Sequence, residues 1–162
     1  MNYPARAVVD SNVLIVANGK SSHSSTECVI AATEFLSYGE KNAVIVLDSS
    51  WLIFDEYRKY CSFRGQPGAG DRFFLHLHQT QADPRRVQKV EIHQKEDGSF
   101  AEVPDMLSGF DRSDHKFVAT VIADRRQSVI VNSSDSDWRE AAEKLAKCEI
   151  EVIELCPNLR RR

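Results

Sequence analysis

The chain has 162 residues, 42% hydrophobic and 28% charged, with a net charge of −3. That length allows one domain with a proper buried core, and the charge argues against a strong general affinity for nucleic acid, though local basic spots remain at Arg85-Arg86, Arg125-Arg126 and Arg160-Arg161-Arg162. No apolar run approaches the length of a membrane span and MNYPARAVVD lacks a signal-peptide pattern, so a cytoplasmic protein with no membrane partner is expected.

In chain order, Ala7 to Val16 is an apolar run interrupted by Asp10, Ser11 and Asn12. Val8 and Val9 suit a buried strand, and Asp10 then sits at its C-terminal end. GKSSHSS is a polar loop. Ser24 with Glu27 is a capping-box pattern opening a helix that Gly39 stops. Ala43 to Leu47 is a second buried strand. A helix over about 51–63 follows, whose inner face holds Leu52, Ile53, Glu56, Tyr60 and Phe63. A carboxylate on that stripe needs a partner or a cation, and Asp55 is the rival should the helix be rotated.

GQPGAG breaks that helix, and Asp71 can cap another running through Phe73, Phe74 and Leu77 to Asp83-Pro84. Val87 to Val103 alternates weakly around Asp97-Gly98 and reads as a small hairpin or loose insertion. The stretch 110–138 reads as an acidic turn, a helix from Asp114 to Asp124, a strand from Ser128 to Val131, and a second acidic turn. Asp137 opens a helix through Leu145, and Ile150 to Leu155 is the last strand. Strands alternating with helices predict a three-layer α/β fold, its mostly parallel central sheet flanked by helices. Ligands of such sheets sit beyond the carboxyl ends of the strands, where Asp10 and Asp135 fall.

Cys28, Cys61, Cys148 and Cys156 form no CxxC pair and read as buried thiols rather than a zinc site or disulfides. His76 and His78, two apart on a helix, point to different faces and are not a ligand pair. Asp111 has a structural reading as a helix cap, with the acid at Asp114 favoured by the helix dipole; Asp137 with Glu140 resembles a capping box, and Trp138 reads as core. Arg85, Arg86 and Lys89 are candidates to line a phosphate path.

Gathered together, VVDSNVL, FDEY, DHKFVAT and VNSSDSDW occur in the order, and at the element boundaries, of the PIN-domain family of metal-dependent nucleases, which this chain resembles. The resemblance covers both ends of the chain and leaves about 65–105 as an insertion within a single PIN-like domain spanning 1–162. It implies a catalytic, metal-binding quartet of Asp10, Glu56, Asp114 and Asp135, support from Asn12 and Ser133, and Asp137 as an accessory metal ligand. It implies an endoribonuclease using Mg²⁺ or Mn²⁺, of toxin or RNA-processing type, with RNA as substrate and an antitoxin, another protein or a second copy of the chain as partner. Oxygen-only donors suit those hard cations, which polarise a phosphodiester and stabilise its leaving oxygen. The alternative is a binding module of the same fold without hydrolysis.

Overall fold

Five short strands form one all-parallel sheet in the order β3-β2-β1-β4-β5: β1 (Arg6–Val9), β2 (Val44–Asp48), β3 (Val87–Val90), β4 (Val129–Asn132) and β5 (Val152–Glu154). The computed structural model describes residues 2–22 and 24–156; Pro157 and the basic run Arg160-Arg161-Arg162 lie outside them. The central strands are apolar on consecutive residues because both faces of a parallel sheet are covered. Ala7, Val8 and Val9 of β1 are wholly buried between Ile45 of β2 and Ile130 and Val131 of β4.

The connections β1→β2→β3 run one way along the sheet and β3→β4→β5 the other, so right-handed crossovers put their helices on opposite faces. Helices α1 (Ser11–Ala17), α2 (Thr26–Asn42) and α4 (Ala69–Thr80) pack on one another, whereas α5 (His115–Ala123) lies against β1, β2 and β4. Helix α3 (Leu52–Arg58) bridges α1 and α5, and α6 (Ser136–Glu140) and α7 (Ala142–Lys147) follow β4. Among the described residues no helix is long and apolar enough to cross a membrane.

Several sequence expectations are corrected here. The apolar run after Asp10, to which the sequence assigns no element, is helix α1, because Asp10 accepts the Asn12 amide as an N-cap and turns the chain. Helix α2 is capped by Ser25, not Ser24, and continues past Gly39, which lies inside it facing Phe73 and Ile45. Helix α3 ends at Arg58, so Tyr60 and Phe63 fall outside it and are each 45% exposed; Tyr57 is the inward aromatic. Gly68 is the N-cap of α4, while buried Asp71 reaches back to the Gly68 and Ser62 amides. The supposed insertion contributes α4 to one face and β3 to the sheet edge, where Val87 pairs with Ile45. Only a bridge between Gln94 and Phe100 around Gly98 remains of the hairpin. Cys28 and Cys156 are joined by a disulfide, contrary to the reading of four free thiols; Cys61 and Cys148 are free. Spacing along the sequence cannot reveal that pair, since 128 positions separate the two sulfurs that α2 and the end of β5 bring together.

Candidate metal centre

The strand order reverses between β1 and β4, and the ends of these two neighbours carry Asp10 and the turn Asn132–Asp135. Asp10 caps α1 and Asp135 caps α6, each accepting the amide two residues on, at 3.2 and 2.9 Å. Asp114 arrives from the other direction, at the end of a 3-10 turn (Arg112–Asp114) leading into α5. Three local turn geometries thus aim three carboxylates at one point. One oxygen from each of Asp10, Asp114 and Asp135 lies within 4.8 Å of the others.

The point is dry. Asp10 is 3% exposed and Asp114 6% exposed. Burial, then the neighbouring Asp135 and Glu56, push the Asp10 carboxyl up to about 7 despite the opposing hydrogen bonds from Trp138 Nε1 and the Asn12 amide. Burial together with Asp10, Asp135 and Asp111 pushes Asp114 up to about 9. One oxygen of Asp114, Oδ2, is buried without any hydrogen-bond partner. A buried carboxylate oxygen left unsatisfied is costly, and a divalent cation would satisfy it while relieving the repulsion among the three acids. The donor set is oxygen only, which fits Mg²⁺ or Mn²⁺ and not a soft metal.

A second group shares Asp114: oxygens of Asp111, Asp114 and Asp137 also lie within 4.8 Å of one another. Asp111 caps the 3-10 turn through the Ser113 amide, as its structural reading requires, and its carboxyl is held low chiefly by that bond. Asp137 is raised by partial burial and by Asp135. Asp111 is exposed and Asp114 buried, and of the two only Asp114 belongs to the group with Asp10 and Asp135.

Glu56 faces inward and Asp55 outward, where it pairs with Arg58 at 3.1 Å. Tyr57 fixes this rotation of α3 by donating its hydroxyl to the Val9 carbonyl at 2.5 Å. Glu56 is nevertheless not among the converging oxygens: Ser11 Oγ donates to one of its oxygens and Lys116 Nζ lies 2.6 Å from the other. The sequence does not mark Ser11 and Lys116 as site residues. Their only signal was adjacency, Ser11 following Asp10 and Lys116 lying two positions beyond Asp114.

Asn12 and Ser133 hydrogen-bond to one another beside the acids. Asn12 Oδ1 accepts the Ser133 hydroxyl and the Ser133 and Ser134 amides at 3.0 and 3.3 Å, and its Nδ2 donates to Asn132 Oδ1 at 2.8 Å. This stitches α1 to the loop after β4 and sets the separation of Asp10 from Asp135. Trp138 is core, 1% exposed, and also the donor to Asp10, a role its apolar spacing did not disclose.

The basic candidates lie elsewhere. Arg85 and Arg86 precede β3 and so sit at the opposite end of the sheet from the acids, Arg85 paired with Asp83 and Arg86 donating to the Lys41 carbonyl. Lys89, within β3, lies over the Trp51 ring. A strand register cannot be read from arginines alone, which is why they looked available. His76 and His78 contribute to neither acid group, and a cavity of about 460 Å³ between α7 and β5 is lined by none of the triad. Comparison with known protein families, curated proteins and solved structures finds no match for this chain.

Proposed function

We propose that this chain is a metal-dependent endoribonuclease of the PIN type, hydrolysing RNA phosphodiester bonds with Mg²⁺ or Mn²⁺ held by Asp10, Asp114 and Asp135. The observation that carries this reading is the partnerless buried oxygen of Asp114 among three converging carboxylates at the strand-order reversal. When bound, the cation supplies Lewis acidity and lowers the pKa of water at the site. The protein's own part is to hold the acids in register through Asn12 and the two caps, to keep them dry, and to steady Asp10 with the Trp138 donor. Glu56 is assigned to positioning through Lys116 and Ser11, and Asp137 with Asp111 to the outer rim. Toxin-type and RNA-processing nucleases both fall within this reading, as do an antitoxin or second copy as partner and a cytoplasmic location.

The test is cleavage of a mixed single-stranded RNA pool by the purified protein. Cutting with Mn²⁺ or Mg²⁺ and none in excess chelator is expected; cutting that survives the chelator overturns the metal assignment. A binding module of the same fold without hydrolysis draws support from Lys116, whose hold on Glu56 withdraws one acid of the expected quartet. RNA binding with no cleavage in any divalent cation would favour it.

A further inference from the structure

Beside the acids lies a cavity of about 310 Å³, between α3, the Gln94–Phe100 turn and the start of α5, a volume suited to a small ligand. It adjoins the triad through Glu56 and through the 3-10 turn that carries both Arg112 and Asp114. Its lining is amphipathic in a specific way. Leu52 and Phe100 give an apolar floor, with Phe100 buried against Ile92 and Ala119 and so held in place. Lys59, Arg112 and Lys116 give a cationic rim.

The charges on that rim are not all neutralised. Asp55 is taken by Arg58 at 3.1 Å and Glu56 by Lys116 at 2.6 Å. Arg112 donates to the carbonyl oxygen of Asp97 at 2.6 Å, a neutral acceptor, while the Asp97 carboxylate is occupied by the Ser99 amide and hydroxyl. Lys59 makes no ion pair among the described residues. Two cations above an apolar floor, next to a candidate hydrolytic centre, match the two ends of a nucleotide: a phosphate that needs cations and a base with an apolar face.

We propose that this cavity is the subsite for one nucleotide of a single-stranded RNA, its phosphate held by Arg112 and Lys59 and its base laid on Leu52 and Phe100. The proposal deepens, and rests on, the nuclease reading of the adjoining acids. Gln94, Gly98 and Phe100 come from the segment between β3 and α5, which thereby gains a role in substrate binding.

The experiment measures binding of a fluorescently labelled single-stranded oligoribonucleotide by anisotropy, in excess chelator so that nothing is cut, across a salt series. Lys59→Ala/Arg112→Ala is expected to weaken binding about tenfold or more and to flatten the slope of log affinity against log salt by about 1.4, at roughly 0.7 per phosphate contact on a single strand. Lys59→Ala alone, which removes no side-chain hydrogen bond or ion pair among the described residues, should account for about half of that change of slope, so loosening of the Asp97 turn cannot explain it. Arg85→Ala/Arg86→Ala, at the far end of the sheet, should bind as the parent does. Parental binding by the Lys59/Arg112 variant, or equal losses in both double variants, overturns the subsite. RNA cutting by a parent whose Lys59/Arg112 variant binds normally removes the subsite alone. Binding that depends on these residues, without cutting in Mn²⁺, removes the nuclease and keeps the subsite; a parent that neither binds nor cuts RNA removes both.

Discussion

Asp10 and Asp48 end neighbouring strands, both are buried, and only one is available for chemistry. Asp48 spends its two oxygens on the Leu52 and Ile53 amides at 2.9 Å each and is a helix cap. Asp10 accepts one amide and one indole N–H and faces two other acids. The difference has a pH signature. With its folded value raised from 3.8 to about 7, the Asp10 carboxyl binds its proton more tightly in the native state than in the unfolded chain. Its contribution to stability is therefore complete below the unfolded value and is lost as pH climbs through about 7. Asp10→Asn removes that dependence but leaves one of the two donors facing an NH₂ group. Urea denaturation of the metal-free proteins should show the variant less stable than the parent at pH 5, by about 1–2 kcal/mol for the lost hydrogen bond, with the gap closed or reversed by pH 8.5. A gap that widens with pH would mean that Asp10 is stabilised as an anion, as a purely structural cap would be.

Helix α1 is the element on which the site depends, and its packing against α4 is unusually tight. A Cβ added at Gly70 would come within 2.3 Å of the Leu14 carbonyl oxygen and 2.8 Å of Asn18 Oδ1. Glycine to alanine within a helix ordinarily gains about 1 kcal/mol, but here the clash is with backbone, and overpacking of this kind costs about 1–3 kcal/mol. Gly70→Ala should therefore lower the melting temperature; an increase would mean that α1 shifts freely. Asn12→Ala should cost more, about 2–4 kcal/mol, because it strips acceptors or donors from Asn132, Ser133 and Ser134 together, and it should also blunt any Mn²⁺-induced rise in melting temperature. At this scale the sequence is only partly legible. Strands β1, β2 and β4 announce themselves because strands buried on both faces must be continuously apolar, and the half-buried edge strand β5 shows itself only through Val152 and Ile153. Helix α1 does not, since SNVLIVA is as apolar as a strand and the signal that distinguishes it is the cap geometry of Asp10. Edge strand β3, buried on one residue only, offers too little pattern, and residues 65–105 consequently passed for an insertion. Site residues that sit at strand ends, Asp10 and Asp135, could be foreseen from sequence position, whereas Glu56's capture by Lys116 is a tertiary event with no local trace.

For the molecule as a whole, the proposed binding of a cation by the acids at one end of the sheet and the release of their protons form a single equilibrium. In the metal-free protein Asp10 titrates at about 7 and Asp114 at about 9, so below pH 7 both hold protons that an incoming cation must displace. Each proton displaced makes the apparent affinity rise about tenfold per pH unit while that group remains protonated in the free protein. Affinity for Mn²⁺ should thus climb steeply between pH 6 and 7, where both carboxyls contribute, less steeply to pH 9, where Asp114 alone does, and then level off. Bound cation removes the repulsion and should add about 2.7 kcal/mol of stability at 100 times its dissociation constant. The expected protein at pH 8.5 is therefore one whose melting temperature responds strongly to Mn²⁺, and at pH 6 one that scarcely responds at the same concentration. Calorimetric titration in two buffers of different ionisation enthalpy reads the proton count directly: between one and two protons should be released per ion bound at pH 6.5, and fewer than one at pH 9. In Asp114→Asn the release at pH 8, where Asp10 is mostly ionised, should vanish. Binding that is indifferent to pH, with no protons released, would place the cation away from this triad.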